Sequence, residues 1–267
     1  MGVIRSIIRS VVPGVEVIDL THEIAPHDIR GAGLILARSA QYLAPGVVLG
    51  VVDPGIGSER RRVAIEVGDG QSVLVGPDNG IFAPAVAMVG GATRAVELSD
   101  PAHHLPAPGL VFDGRDVFAP VAAHLCAGVP ITEFGPEINT ASLMPGILPV
   151  THEEDGMLQA EVLWQDRYGN LQLNVGPEDL AAPRSVRVGW TGRDEVVPWV
   201  STFAEVAPGG LGLLIDSYGL VALVADRTSA ADVTGLGPGS EVILESIDDS
   251  GSDGGGSTPV SLGPTRS

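Results

Sequence analysis

Apolar and polar residues follow two rhythms along the chain. Residues 15–20 form a short β-branched run, residues 28–43 space their apolar side chains as one helix face, and residues 47–52 are unbroken apolar and end at Asp-Pro-Gly. Residues 62–67 and 72–75 read as strands across a Gly-Asp-Gly turn, and residues 117–126 as a helix with Asp113 or Asp116 as its cap. Continuous apolar strands separated by helices predict a mostly parallel sheet flanked by helices on both faces. After residue 149 the rhythm shortens. Residues 156–164, 171–175, 185–190, 196–200, 211–215, 220–224 and 241–245 read as short strands split by Gly, Pro and Asp turns. The pattern predicts an α/β domain over 1–149 and an all-β, barrel-like domain over 150–247. Residues 248–267, rich in Gly, Ser and Asp with almost no large apolar side chain, read as a flexible tail.

Composition narrows the chemistry. The 33 acidic residues against 15 basic ones give a formal charge of −18, the wrong sign for neutralising a phosphate backbone, so nucleic acid is not an expected partner. All 15 basic residues are Arg, which removes lysine Schiff-base, pyridoxal-phosphate and P-loop chemistry. Cys126 is the single cysteine and no Cys/His set has zinc spacing, so the fold must rest on its core. No run approaches the roughly 18 apolar residues of a membrane span. Residues 1–12 are interrupted by Arg5 and Arg9 and carry no cleavage signal, so a cytoplasmic protein without a membrane partner is expected.

Four loops gather polar residues near strand ends, where open α/β sheets hold their ligands. Asp53-Pro54-Gly55-Ile56-Gly57-Ser58-Glu59-Arg60 follows an apolar strand. Its glycines let backbone approach a ligand, and Arg60 is spaced to fold back on Asp53; the alternative is a tight turn with a surface ion pair. Pro77-Asp78-Asn79-Gly80 is a strong turn signal and reads first as structural. Phe112-Asp113-Gly114-Arg115-Asp116 opens a helix, either as an anion site or as a plain cap. Asp166-Arg167-Tyr168-Gly169-Asn170 joins a carboxylate, a ring and an amide that suit a nucleoside, or forms only a turn. His22 and His27, like the adjacent His103 and His104, lack metal-ligand spacing, so no metal is assigned; no Gly-x-Ser-x-Gly elbow marks a nucleophile.

Taken in order, these loops resemble one family, the S-adenosyl-L-methionine (SAM) hydroxide adenosyltransferases, related to the fluorinase and chlorinase. The matching segments are VIDLTHEI (17–24), VVDPGIGSERR (51–61), GPDNGIF (76–82), FDGRDVFAPVAAHL (112–125), QDRYGNLQLNV (165–175) and IDSYGLVALVADRTSAA (215–231), nearly the whole chain apart from the tail. The resemblance implies an N-terminal α/β and a C-terminal β domain, a homotrimer with SAM bound between subunits, and no cofactor beyond the substrate. The implied chemistry is displacement at the ribose 5′ carbon, methionine leaving as a neutral thioether. Where the halogenases carry an aromatic residue, this chain has Asp53, paired with Arg60 as in the hydroxide branch. A carboxylate repels halide and orients water or accepts its proton, so the implied products are adenosine and L-methionine.

The resemblance also carries departures. Asp113 stands where the hydroxide branch has a His that completes an Asp-Arg-His set. Two carboxylates either share a proton and still work as base and acid, or leave the site impaired. Phe112 and Gly114 are implied to line the nucleophile pocket, with His27 at a position that is aromatic in the halogenases. Asp166 and Asn170 are implied to meet polar groups of SAM, Tyr168 to stack on adenine, and Ser217 to hold the methionine end; Asp226 and Arg227 depart from the pattern. The chain opens at the Met-Gly-Val-Ile that follows the family's first strand and its ribose-binding Asp loop. The N-terminal domain is therefore expected to lack that strand, with a mis-assigned start as the simplest account. Two alternatives stay open: a SAM-dependent halide transferase, and a catalytically weak SAM- or adenosine-binding protein.

Overall fold

A computed structural model describes residues 1–146, 149–180 and 184–247; the tail expected at 248–267 lies outside them. The chain divides into two compact units, Met1–Leu148 and Pro149–Ser267. In the first, helices α1 (Gly2–Val11), α2 (Ile29–Ala40), α3 (Ala83–Met88) and α4 (Ala119–Cys126) accompany strands β1 (Val47–Leu49), β2 (Arg62–Val67), β3 (Ser72–Pro77), β4 (Ala92–Glu97) and β5 (Glu137–Ile138). The strands lie in the order β1-β3-β2-β4-β5.

The sheet is mixed. Only β1–β3 pairs in parallel; β3–β2, β2–β4 and β4–β5 are antiparallel, so the expected mostly parallel sheet is met only in part. The cause is the Gly68-Asp69-Gly70 turn, whose three residues all take left-handed φ values of 59°, 55° and 81°. So short a connection turns the chain straight back, and a hairpin pairs antiparallel. Helices nonetheless cover both faces: Val63, Ile65 and Val67 pack with α2 and α3, while Ala64, Val75 and Val96 meet Phe118 and Val121. Period-two alternation thus buries both sides of β2, which is why it reads as one apolar run.

Two local expectations are corrected. Residues 15–20 form no strand: Val15 and Val17 pack against the Ile8 face of α1, Ile18 is exposed, and no described strand pairs with the run. Neither Asp113 nor Asp116 caps α4, which continues from a π-helical turn at Gly114–Phe118. Asp116 pairs with Arg115, and Asp113 is drawn to two other arginines; charge-assisted bonds outcompete a cap. Pro120 has no N–H to give the Asp116 carbonyl four residues earlier, and that carbonyl accepts the Leu105 amide instead, at 2.8 Å. This pins the chain at 103–105 beside the turn.

The second unit comprises β6 (His152–Glu154), β7 (Met157–Gln165), β8 (Leu171–Leu173), β9 (Ser185–Trp190), β10 (Arg193–Pro198), β11 (Leu211–Ile215), β12 (Val221–Ala225), helix α5 (Ala230–Thr234) and β13 (Glu241–Ile247). Its order is β10-β9-β13-β7-β8-β12-β11, with β6 on β7. An isolated bridge between Trp199 and Leu213 joins the two ends, so the sheet curls into a partly closed barrel. Alternate residues such as Val162, Val188, Leu213, Leu223 and Leu244 fill it.

Phe118 is fully buried between sheet and α4 and lies 5.7 Å beneath the Arg60 guanidinium. Phe118→Ala is expected to cost about 3–5 kcal/mol of stability, measured by urea unfolding; a loss below about 1 kcal/mol would show that this core does not depend on the ring.

Candidate active site

The loop carrying Asp53 is fixed from behind. A Cβ on Gly76 would fall 2.1 Å from the Gly50 carbonyl and 2.8 Å from the Phe82 ring, so only glycine lets the end of β3 run this close to the end of β1. Asn79 then donates through Nδ2 to the Val52 carbonyl at 2.8 Å. Asp78, nearly buried, accepts from Arg61 at 2.6 and 2.9 Å through one oxygen and from the Met144 amide at 2.8 Å through the other. The Pro77–Gly80 turn is thus a clamp for the Asp53 loop.

What it holds is a compact charge cluster. The Arg60 guanidinium donates through Nη2 to Asp53 Oδ2 and, at 2.9 Å, to Asp113 Oδ2. Arg62 adds a second bond to that Asp113 oxygen through Nε at 3.0 Å. The side chains of Arg60, Asp53 and Asp113 are 8%, 6% and 6% exposed, whereas Arg62 is 34% exposed. The spacing of Asp53 and Arg60 anticipates the first contact, and the family resemblance anticipates Asp113 beside them; the part played by Arg62 is not visible in sequence.

Burial raises the Asp53 pKa above its ordinary value; Arg60 opposes the rise and the Asp113 carboxylate adds to it. Asp53 Oδ1 is buried and meets no donor at bonding geometry, the nearby Gly55 N–H exerting only the weakest pull on the carboxylate. His104 also reaches this cluster: burial, then Arg62, push its pKa down, against the pull of Asp100 and Asp113.

A cavity of about 320 Å³ opens beside the loop, lined by Thr21, His22, Val51, Val52, Phe112 and Gly114 among others. A Cβ on Gly114 would lie 3.6 Å from the Phe112 ring and 3.7 Å from Val51, so the missing side chain keeps this end roomy. His27 is exposed at φ 70°, just ahead of α2; it is His22 that reaches the cavity wall.

In the second unit Asp166, Tyr168, Asn170 and Ser217 share a cavity of about 640 Å³. Asp166 Oδ1 accepts the Tyr168 and Asn170 amides at 2.8 and 2.9 Å, and Oδ2 accepts Asn170 Nδ2 at 2.7 Å, so its carboxylate shapes the turn. The β11–β12 connection repeats the design. Asp216 Oδ1 accepts the Tyr218 and Leu220 amides at 2.8 and 3.2 Å, and Gly169 and Gly219 share φ values of 83° and 82°. Two Asp-x-Tyr-Gly turns therefore present Tyr168 and Tyr218 to one cavity. Of this turn the sequence analysis singles out only Ser217, although the repeated motif also signals Asp216 and Tyr218. Adjoining this cavity, a second space of about 790 Å³ is bounded by Tyr168, Asn170, Phe203, Asp226 and Arg227. Among the described residues, no group of three or more His, Cys, Asp or Glu is arranged to hold a metal.

Comparison with known proteins follows the same division. Residues 1–135 match the SAM hydroxide adenosyltransferase N-terminal domain and residues 160–243 its C-terminal domain. The chain is 40% identical over 239 residues to an (R)-S-adenosyl-L-methionine hydrolase of Salinispora tropica, covering 89% of each protein. It is 23% identical over 261 residues to a fluorinase of Actinoplanes sp., covering 85% of this chain and 86% of that one. A crystal structure of a conserved protein from Thermotoga maritima superposes with a TM-score of 0.82 at 27% identity, covering 91% of this chain and 94% of that one.

The raised Asp53 pKa gives a stability test. From pH 3.8 up to its raised value, the folded state binds more protons at this site than the unfolded chain, so this group's contribution to stability falls as pH rises through the window. Asp53→Asn is expected to be more stable than the parent at neutral pH, the gap closing below pH 3.8. Urea titrations between pH 4 and 7 read it, and a variant less stable throughout would refute it.

Proposed function

The chain belongs to the SAM hydroxide adenosyltransferase family, and from that membership and its site we infer that it hydrolyses SAM to adenosine and L-methionine. The observation that carries the reading is Asp53, buried, one carboxylate oxygen fixed by Arg60 and the other without a donor at bonding geometry. Water attacks the ribose 5′ carbon through a lone pair while the carbon–sulfur bond breaks and its electrons neutralise the sulfonium. Methionine departs as a thioether and needs no proton. SAM cation and water therefore give adenosine, methionine and one proton, which passes from the attacking water to Asp53 Oδ1. A carboxylate raised above its ordinary pKa is the better acceptor. Arg60 keeps it in one orientation, and Asp113 holds the same guanidinium from the other side.

Phe112 and Gly114 border the space for the nucleophile. Tyr168, with Asn170, takes the adenine, and Ser217, with the Asp166 turn, the polar methionine end. A sulfonium leaving group needs neither a proton nor a Lewis acid, so the reaction requires no cofactor. A halide would face the Asp53 carboxylate at close range, which disfavours the halide alternative. Homotrimer formation with sites at subunit interfaces belongs to this reading, supported by Leu110 and Val111, 74% and 76% exposed next to the cluster. So does a cytoplasmic location; among the described residues no helix is long and apolar enough to cross a membrane.

Incubation with SAM in ¹⁸O-water, with and without chloride, is expected to release adenosine and methionine in equal amounts. The label should appear in the adenosine 5′-hydroxyl, no 5′-chloroadenosine should form, and chelators should leave the rate unchanged. Asp53→Ala is expected to lose about 10²- to 10⁴-fold in kcat. SAM binding without turnover in the parent would turn the assignment to a binding protein. Tyr168→Ala is expected to raise KM about tenfold, as loss of one base–aromatic stack does; an unchanged KM would remove Tyr168 from the adenine site.

A further inference from the structure

We propose that Arg62 is a positioning residue of the hydrolytic site, supplying the second positive charge that lets Asp113 sit beside Asp53. The proposal rests on the hydrolase reading. Asp113 is 4% exposed and brings a second carboxylate to a site already holding one. With Arg60 alone, two carboxylates would divide one guanidinium and leave a net negative charge in a buried place, which is costly. The structure instead puts two arginines on Asp113 Oδ2, Arg60 Nη2 at 2.9 Å and Arg62 Nε at 3.0 Å. Two cations then balance two anions, and Asp53 stays free to take a proton.

Arg62 is placed for this by the fold. It opens β2 opposite Pro77, and its carbonyl accepts the Leu98 amide at 2.8 Å, so its backbone is held from both neighbouring strands while the side chain reaches Asp113. The other ionisable groups facing this corner are Asp53 and Arg60 from the β1–β2 loop, and Asp100, His103 and His104 from the segment after β4. Burial, then Arg62, lower the His104 pKa, which disfavours a third cation beside Asp113. Arg62 does not line the cavity beside the Asp53 loop; it acts through Asp113.

The test is the pH profile of kcat/KM. Arg62→Gln is expected to lose about tenfold on the acid side while its alkaline plateau stays within about twofold, because the carboxylate pair holds its proton to higher pH once a partner charge is gone. Arg62→Lys keeps a charge and should retain most of the acid-side activity. Arg62→Gln combined with Asp113→Asn restores neutrality and should move the acid limb back toward the parent position, whatever its effect on the plateau. A purely structural Arg62 would lower the whole profile evenly, and that result, or an acid limb that does not return in the double variant, would overturn the proposal. Carbon-13 titration of the Asp53 and Asp113 carboxyls, without SAM, reads the same balance without turnover: carboxyl titrations that do not move to higher pH in Arg62→Gln refute this proposal, whereas a parent that makes no adenosine refutes the hydrolase reading and leaves the titration to judge the charge balance.

Discussion

Two buried carboxylates meet on one guanidinium, and most of the first unit can be understood as the means of keeping them there. Removing Asp53, Asp113 and Arg60 from water is costly, and only close pairing repays it. Close pairing needs fixed loops. The Gly50–Gly76 approach under Phe82 seats the end of β1, Asn79 holds the Val52 carbonyl, and Arg61 is kept out of the cluster by Asp78. Phe118 supplies the floor under Arg60. On the other side, the bond that Pro120 cannot make frees the Asp116 carbonyl for Leu105, which ties the His104 segment to the same corner.

This arrangement suits a reaction whose leaving group is already charged. Expulsion of a thioether from a sulfonium asks nothing of a general acid, so a site can place its acid–base capacity entirely on the nucleophile. In the proposed reading Asp53 does so with an asymmetric carboxylate, one oxygen held by Arg60 and the other without a donor at bonding geometry. The burial that raises its pKa makes it a better base and a poorer contributor to stability. The second carboxylate holds Arg60 from the other side, and in the proposed reading that is its part.

Much of this was legible in sequence where one local force acts alone. The helix near 28–43, the strand at 62–67 and the seven-residue spacing of Asp53 and Arg60 are short-range, and the apolar and turn pattern carries them. It fails where two partners compete. Asp113 is a good cap by residue type, but two guanidiniums brought in by other strands bind it more strongly. Residues 15–20 have strand character and yet no described neighbour to pair with, and a strand exists only as a pair. The twin Asp-x-Tyr-Gly turns were legible in principle, since the motif repeats, but their convergence on one cavity depends on barrel order, which β-propensity does not encode.

Charge works differently at the two scales. The chain carries 33 acidic residues against 15 basic, and such an excess attracts a cation through solvent. SAM, with a sulfonium, an ammonium and a carboxylate, is a net cation; adenosine and zwitterionic methionine are not. The long-range field thus favours the substrate and is indifferent to both products. Were the same negative excess carried into the cluster, Asp53 would hold its proton to higher pH and, in the proposed reading, serve less well as a base. A negative protein with a locally balanced pair of carboxylates and pair of arginines meets both demands, which is why the positive charges at Arg60 and Arg62 matter more than their number suggests.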